Sequence, residues 1–245
     1  MAYERIKTDV PGFDELLGKG IPSGSSIVVK GGPGSGKTIF CLQNCINFAK
    51  KGKKCLYLSF EETRADLEEH INALGGELND NIRIKKMDIT DVWVSLKHAR
   101  GKRQGIELVS NPDGKIEDIN LIPKDFTPDL IILDSLTAIS SFFSDSTSEY
   151  RAYLEEVFKI LSRSNTMSYL IVERDPLLEG PATFEEFMSD GVFMLYNVRK
   201  GDIRENAIEV LKLRATDHQK KIAAMQITDK GIRVYPDQQV FGLEK

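Results

Sequence analysis

Short apolar runs alternate with helical patterns along most of the chain. IVVKG (27–31), CLYLSF (55–60), DLIILDS (129–135), SYLIVER (168–174) and GVFMLYNV (191–198) read as strands, and IRIKKMD (82–88) as a further one. TIFCLQNCINFAKKG (38–52), TRADLEEHINALGG (63–76) and EYRAYLEEVFKILSRS (149–164) carry helical spacing. Gly52 supplies a stop for the first helix, and Thr63 with Asp66 three residues on gives the second an imperfect capping box. This alternation predicts an α/β fold of right-handed βαβ units, with a mainly parallel central sheet flanked by helices. The C-terminal part differs. AIEVLKLRAT (207–216), IAAMQITDKG (222–231) and IRVYP (232–236) are separated only by short turns, which predicts an antiparallel meander at one sheet edge. Residues 99–125, with Gly101, Gly105, Pro112, Gly114 and Pro123, lack clear periodicity and read as a long loop or hairpin excursion. There is no repeat and no low-complexity tract, so one domain over 1–245 is the simplest organisation.

Composition changes this picture little. The 245 residues, 41% hydrophobic and 29% charged, suffice for a full core. A formal net charge of -4 gives no global basic signature for nucleic acid. MAYERIKTDVPGFDELL has no apolar signal region, and no run reaches the length of a membrane span. The cysteines Cys41, Cys45 and Cys55 show no framework spacing, which points to a reducing, cytoplasmic setting. Cys41 and Cys45 lie four apart on a helix with no further ligand at metal spacing, so packing is the expected role.

GGPGSGKT (31–38) matches G-x-x-x-x-G-K-[ST], the Walker A pattern, with a strand before it and a helix after it. The glycines let the backbone curl so that N–H groups converge on phosphate oxygens, and the helix N-terminus adds its dipole. Gly32, Pro33, Gly34, Ser35, Gly36, Lys37, Thr38 and Ile39 are the candidate nucleotide-binding residues. Lys37 is expected to reach the outer phosphates and Thr38 to offer its hydroxyl to Mg²⁺. DLIILDS ends in Asp134, a Walker B carboxylate expected to hold Mg²⁺ through water. SFEET (59–63) puts Glu61 and Glu62 at the end of another strand on the same edge. A carboxylate there can deprotonate an attacking water, and two adjacent ones raise one pKa. A solvated strand corner fits the spacing equally well.

The order of several motifs resembles the KaiC-like branch of the RecA superfamily, the single-domain type found in archaea and akin to RadA paralogues. The resemblance begins at GFDELLGKGIPSGSSIVVKGGPGSGKT (12–38) and SFEET. It continues through LIILDSLTAI (130–139), EFMSDGVFML (186–195), VLKLRATDH (210–218) and ITDKGIRV (227–234). It implies a RecA-like P-loop ATPase core binding ATP or ADP with Mg²⁺. It implies that the tandem Glu activates water, with Glu62 favoured as the base and Glu61 its partner. It implies a homohexameric ring with ATP between neighbours. Lys212, Leu213 and Arg214, with Thr216 and His218 nearby, would then reach the neighbour's nucleotide in trans, and Thr228 and Asp229 its base or ribose side. Lys212 and Arg214 are two apart on a strand and so share one face. The usual closing motif has Gly after the Arg, where this chain has Ala215. Clock function and autophosphorylation do not carry over.

Loops that face the ring axis in DNA-binding relatives should follow Asp134 and SYLIVER. SSFFSDSTSE (140–149) and DPLLEGPATFEEFMSD (175–190) contain no Lys or Arg, which disfavours DNA there. Phe142 and Phe143 read as core or interface residues rather than base-stacking platforms. KHARGKR (97–103) is the one basic run that offers a nucleic-acid edge. The expected function is slow Mg·ATP hydrolysis in a ring, used as a switch on an unknown protein partner, with no membrane role. The competing readings are a DNA-binding recombination accessory and an ATP-gated scaffold.

Overall fold

The computed structural model describes residues 4–88, 121–143, 147–178, 181–238 and 240. In chain order its elements are β1 (Arg5–Ile6), α1 (Phe13–Leu16), β2 (Ile21–Pro22), β3 (Ser26–Gly31), α2 (Lys37–Lys50), β4 (Cys55–Ser59), α3 (Arg64–Ala73), β5 (Ile82–Lys86), β6 (Leu130–Asp134), α4 (Leu136–Ser140), α5 (Thr147–Ser164), β7 (Met167–Glu173), α6 (Phe184–Met188), β8 (Gly191–Lys200), β9 (Ile203–Leu213), β10 (Ile222–Thr228) and β11 (Gly231–Tyr235). Nine strands form one sheet in the order β11-β10-β9-β8-β3-β7-β6-β4-β5. The block from β8 to β5 pairs in parallel, and β8 to β11 pair antiparallel, as the alternation and the short C-terminal turns predict. The irregular segment expected over 99–125 lies outside the described residues except for 121–125, and KHARGKR lies wholly outside them.

The parallel strands are apolar throughout because helices cover both faces. Ile27 and Val29 of β3 face one core, with α1, α2 and α3, whereas Val28 faces a second core with α4 and α5. The first core holds an aromatic cluster. Phe13 meets Phe40 and Phe193 edge-on at centroid distances of 5.2 and 5.1 Å, and Phe40 lies 5.8 Å from Tyr169. Phe143 packs on Tyr153 in the second core, 5.6 Å between centroids, so it is a core residue. Cys41, Cys45 and Cys55 are all buried, and burial pushes the Cys41 thiol well up. Among the described residues no helix is long and apolar enough to cross a membrane.

Two boundaries depart from the pattern for physical reasons. The capping box of α3 is complete. Thr63 Oγ1 accepts from Asp66 N and the Asp66 carboxylate accepts from Thr63 N, because Asp at this position reaches back as Glu does. Strand β9 starts at Ile203, earlier than the apolar run, because its first half is a half-solvated hairpin arm paired with β8. A β-bulge near Val192/Phe193 follows, where Val192 faces Lys212 and Phe193 faces Val210.

Helix α2 leaves the glycine-rich turn and is pinned by Phe40 in the aromatic cluster. Phe40→Ala is expected to cost about 3–4 kcal/mol of stability. An unchanged denaturant m-value with a lowered midpoint would show it as a packing loss.

Candidate functional site

Strand register brings the motif residues to one edge. Gly31 of β3 lies opposite Glu173 of β7, and Ser59 of β4 lies opposite Asp134 of β6. Beyond β3 the chain turns through Gly34 and Gly36, at φ 70° and 92°, and Gly36 caps α2. Only glycine reaches this conformation cheaply. A Cβ on Gly31 would lie 2.3 Å from Ser35 Oγ and 2.7 Å from the Leu195 carbonyl oxygen. The turn is braced by Ser35 Oγ donating to the Gly32 carbonyl at 2.8 Å. Lys37 is buried, donates to the same carbonyl at 3.1 Å and sits 3.7 Å from Glu173 Oε1. Residues 32–39 therefore form one continuous turn and helix start, with Ile39 packed against the first core.

Asp134 is the centre of a carboxylate cluster. Tyr57 OH donates to Asp134 Oδ2 at 2.6 Å, and Thr38 Oγ1 stands 3.5 Å from the same oxygen. Burial raises the Asp134 carboxyl to about 6. The Tyr57 hydrogen bond opposes that, and the charges of Glu61, Glu62 and Glu173 add to it. Ser135 Oγ donates to Glu61 Oε1 at 3.0 Å, beside Asp134. Glu62 turns away. Its Oε2 lies 3.1 Å from His70 Nδ1 on α3, a contact at ion-pair distance without hydrogen-bond geometry. Ser59 Oγ both accepts from Glu62 N at 2.9 Å and donates to Glu62 O at 2.7 Å, which sets the corner.

The closing motif lies elsewhere. Register pairs Ile27 with Gly191 and Gly191 with Leu213, so Lys212, Leu213 and Arg214 sit at the start of β3, whereas the cradle sits at its end. Four residues of strand separate the two edges, about 13 Å. Lys212 Nζ donates to the carbonyls of Glu186, Phe187 and Ser189, and Arg214 donates to Phe187 O and Asp190 Oδ1, so both cations do share one face. Burial, then the neighbouring Arg214 charge, lowers the Lys212 pKa. Leu213 is buried. Ala215 takes φ 55°, the conformation that glycine would take there, and Arg5 donates to its carbonyl and to Thr216 Oγ1, each at 2.6 Å. His218 Nδ1 lies 3.3 Å from Thr216 O. Thr228 and Asp229 form the β10–β11 turn, where Thr228 Oγ1 donates to Gly231 O. That turn stands by this chain's own cradle, since Ile227 Cδ1 would be 2.9 Å from a Cβ on Gly36. The structure thus separates Thr228 and Asp229 from the strand end carrying Lys212.

Several supports were not read from the sequence. Tyr57 and Glu173 were missed because each meets a residue of another element, and Ser59 because its bonds to Glu62 depend on how the corner folds. Asn197 Nδ2 donates to Pro33 O and Asn206 Nδ2 to Gly34 O, so the β8–β9 pair holds the back of the cradle. Residues 175–190 carry no Lys or Arg, and two of their carboxylates are turned inward. Glu185 and Glu186 are buried, Tyr150 OH donating to the first and Lys30 to the second. Their charge faces the fold rather than a ring axis. Asp145 and Glu179 lie outside the described residues.

A carboxyl raised by burial favours the fold only while protonated. Its contribution is present below the ordinary carboxylate range and lost as pH rises through about 6. In nucleotide-free, Mg²⁺-free protein, Asp134→Asn is therefore expected to raise stability at pH 8 by on the order of 2 kcal/mol, with no gain near pH 4. Thermal melts across that range check the sign. Ala215→Gly should add about 1 kcal/mol by relieving the left-handed Cβ, read from the same melts.

Comparisons agree with this geometry. The family described as "ATPase: KaiC" matches residues 6–239. The circadian clock oscillator protein KaiC of Synechococcus elongatus is 31% identical over 246 residues, which cover 96% of this chain and 45% of that protein. The circadian clock oscillator protein KaiC 1 of a Synechocystis species is 32% identical over 244 residues, covering 95% and 44%. The chain thus spans less than half the length of these curated relatives. The crystal structure of a KaiC-like protein from the hyperthermophilic archaeon Pyrococcus horikoshii OT3 superposes with a TM-score of 0.74 at 24% identity, covering 96% of this chain and all of that one. A P-loop on a RecA-like sheet and a family match over nearly the whole chain agree: the protein belongs to the KaiC ATPase family.

Proposed function

We propose that the chain hydrolyses Mg·ATP slowly at the interface between subunits of a ring, and that nucleotide state switches its contact with a partner protein. One observation carries the reading: Arg214 lies at the opposite sheet edge from its own cradle, which supports a role at a neighbour's nucleotide rather than at its own. The cradle residues 32–38 bind the phosphate chain through backbone N–H groups, and Lys37 gives up its carbonyl contact for the outer phosphates. Thr38 and, through water, Asp134 would hold Mg²⁺, which neutralises phosphate charge when bound. Among the described residues no group of three metal-binding side chains is assembled, which fits an ion held mainly by phosphate and water. Thr228 and Asp229 meet the base or ribose of this chain's own nucleotide.

The base role passes to Glu61. Its carboxylate reaches Ser135 beside Asp134, facing the cradle edge, whereas the Glu62 carboxylate is turned onto His70. Glu61 takes the proton of the attacking water, and Glu62 stays on α3's side of the corner against His70. A protein partner fits the segment after β7. Leu178 and Phe187 are 68% and 66% exposed there, an apolar surface rather than a cationic one.

The test mixes two inactive chains, Glu61→Gln and Arg214→Ala. Each alone should lose turnover by about 100-fold or more. A one-to-one mixture should regain about a quarter of wild-type turnover, the share of interfaces with both intact halves. Retained activity in Glu61→Gln sinks the base assignment. A mixture as dead as its parts sinks the shared site.

A further inference from the structure

The packing of β4 asks for no hydroxyl at position 57. Leu56 and Leu58 face the second core, and Cys55 and Tyr57 face the first, so a plain apolar ring would complete the alternation. Tyr57 is fully buried. A hydroxyl there is costly unless it finds an acceptor. Cys41 and Cys45 in the same core offer only sulfur, a weak one. The phenol instead donates to Asp134 Oδ2 at 2.6 Å, the length of a bond to a charged oxygen.

Register sets up this bond. Tyr57 lies opposite Ile132, and Ser59 lies opposite Asp134, so the phenol starts two residues short of the carboxylate. Ile132 belongs to the first core, and Asp134, two residues on, shares its face of the sheet. Two residues of strand are about 7 Å, a length that a tyrosine side chain covers. A phenylalanine would end at the same place with nothing to donate.

The two oxygens of Asp134 are then unequal. Oδ2 accepts from Tyr57, and Thr38 Oγ1 stands 3.5 Å from the same atom, a long contact that it can leave. Oδ1 has no hydrogen-bond partner among the described residues. Neither a nucleotide nor a second subunit can compete for the phenol, because Tyr57 has no exposed surface.

We propose that Tyr57 is a positioning residue, which pins Asp134 Oδ2 from within the core and so leaves Oδ1 for a water of the Mg²⁺ ion. This rests on the reading above that Asp134 holds Mg²⁺ through water.

Tyr57→Phe keeps the ring and removes the donor. The readout is binding rather than turnover: the affinity of a fluorescent ADP analogue is followed at fixed pH as Mg²⁺ is titrated. The Mg²⁺ concentration at half effect should rise about tenfold, because outer bonds to a metal-holding carboxylate orient it. Nucleotide affinity without Mg²⁺ should match wild type, since the cradle is untouched. Asp134→Asn should weaken the Mg²⁺ dependence as well. The double variant should then match Asp134→Asn alone, because Tyr57 acts through that carboxylate. A wild-type Mg²⁺ dependence in Tyr57→Phe, beside a weakened one in Asp134→Asn, overturns the proposal and leaves the metal reading standing. Losses that add in the double variant overturn it too, since Tyr57 would act by another route. If Tyr57→Phe does not fold, or loses nucleotide binding without Mg²⁺, the phenol holds the core and the proposal is wrong. If Asp134→Asn keeps the wild-type Mg²⁺ dependence, the metal reading itself fails and the proposal falls with it.

Discussion

Strand β3 is dry on both faces, and the position of the glycine-rich turn and of the groups around it follows from that. Its six residues are all buried, with Ile27 and Val29 in one core and Val28 in the other. Apolar burial of this kind, at roughly 25 cal/mol per Å², holds the strand far more firmly than any single polar contact at the site. Register then places the rest: Gly31 falls opposite Glu173 on one side and opposite Leu195 on the other. The backbones run so close that no side chain fits at Gly31. The only charged side chain in the strand, Lys30, is a hazard that Glu186 offsets, because an ammonium left unpaired there would be costly. The same ion pair makes α6 part of the cradle's foundation.

Electrostatics at the cradle edge is lopsided within one chain. Burial raises Asp134, and the charges of Glu61, Glu62 and Glu173 add to that although Glu62 itself is turned onto His70. Lys37 is the cation in their midst. Adding a triphosphate increases the negative charge further. Backbone N–H groups, Lys37 and a dication address the ground state, but the charge that develops on the transferring phosphoryl group needs one more cation. The chain has such a cation, Arg214, and keeps it out of reach of its own cradle. That separation is the gap which the proposed contact between subunits would bridge.

What was legible in the sequence follows from locality. The glycine-rich turn, Asp134 and the strand-helix alternation are encoded within a few neighbouring residues, and the structure reproduces them with boundaries moved by up to four residues. The fold class and the antiparallel edge were legible for the same reason. What escaped notice joins residues far apart: Tyr57 to Asp134 across 77 positions, Lys30 to Glu186 across 156, and Asn197 to Pro33 across 164. No local pattern marks such partners. Composition likewise does not say which way a carboxylate after β7 points. Glu185 and Glu186 point inward, and their partners Tyr150 and Lys30 lie on other elements. The choice between Glu61 and Glu62 was likewise undecidable from adjacency. It turns on Ser135 pulling one carboxylate inward and His70 drawing the other out.

Ala215 shows how the far edge is kept in shape without glycine. A Cβ at φ 55° costs on the order of 1–2 kcal/mol, and a free turn would relax to avoid it. It is not free. Arg5 bonds the Ala215 carbonyl and the Thr216 hydroxyl, Arg214 N donates to Asp190 O, and Asp190 N donates to Ser26 O. The turn is therefore held from β1 and from the start of β3 together. Strain that glycine would remove is tolerated because the neighbouring bonds over-determine the geometry. The consequence is directional. The turn after Arg214 is held by Arg5 and its own N–H by Asp190 O, whereas its side chain is 56% exposed. An exposed cation on a held backbone is the geometry that the proposed contact with a neighbouring subunit's phosphate would use.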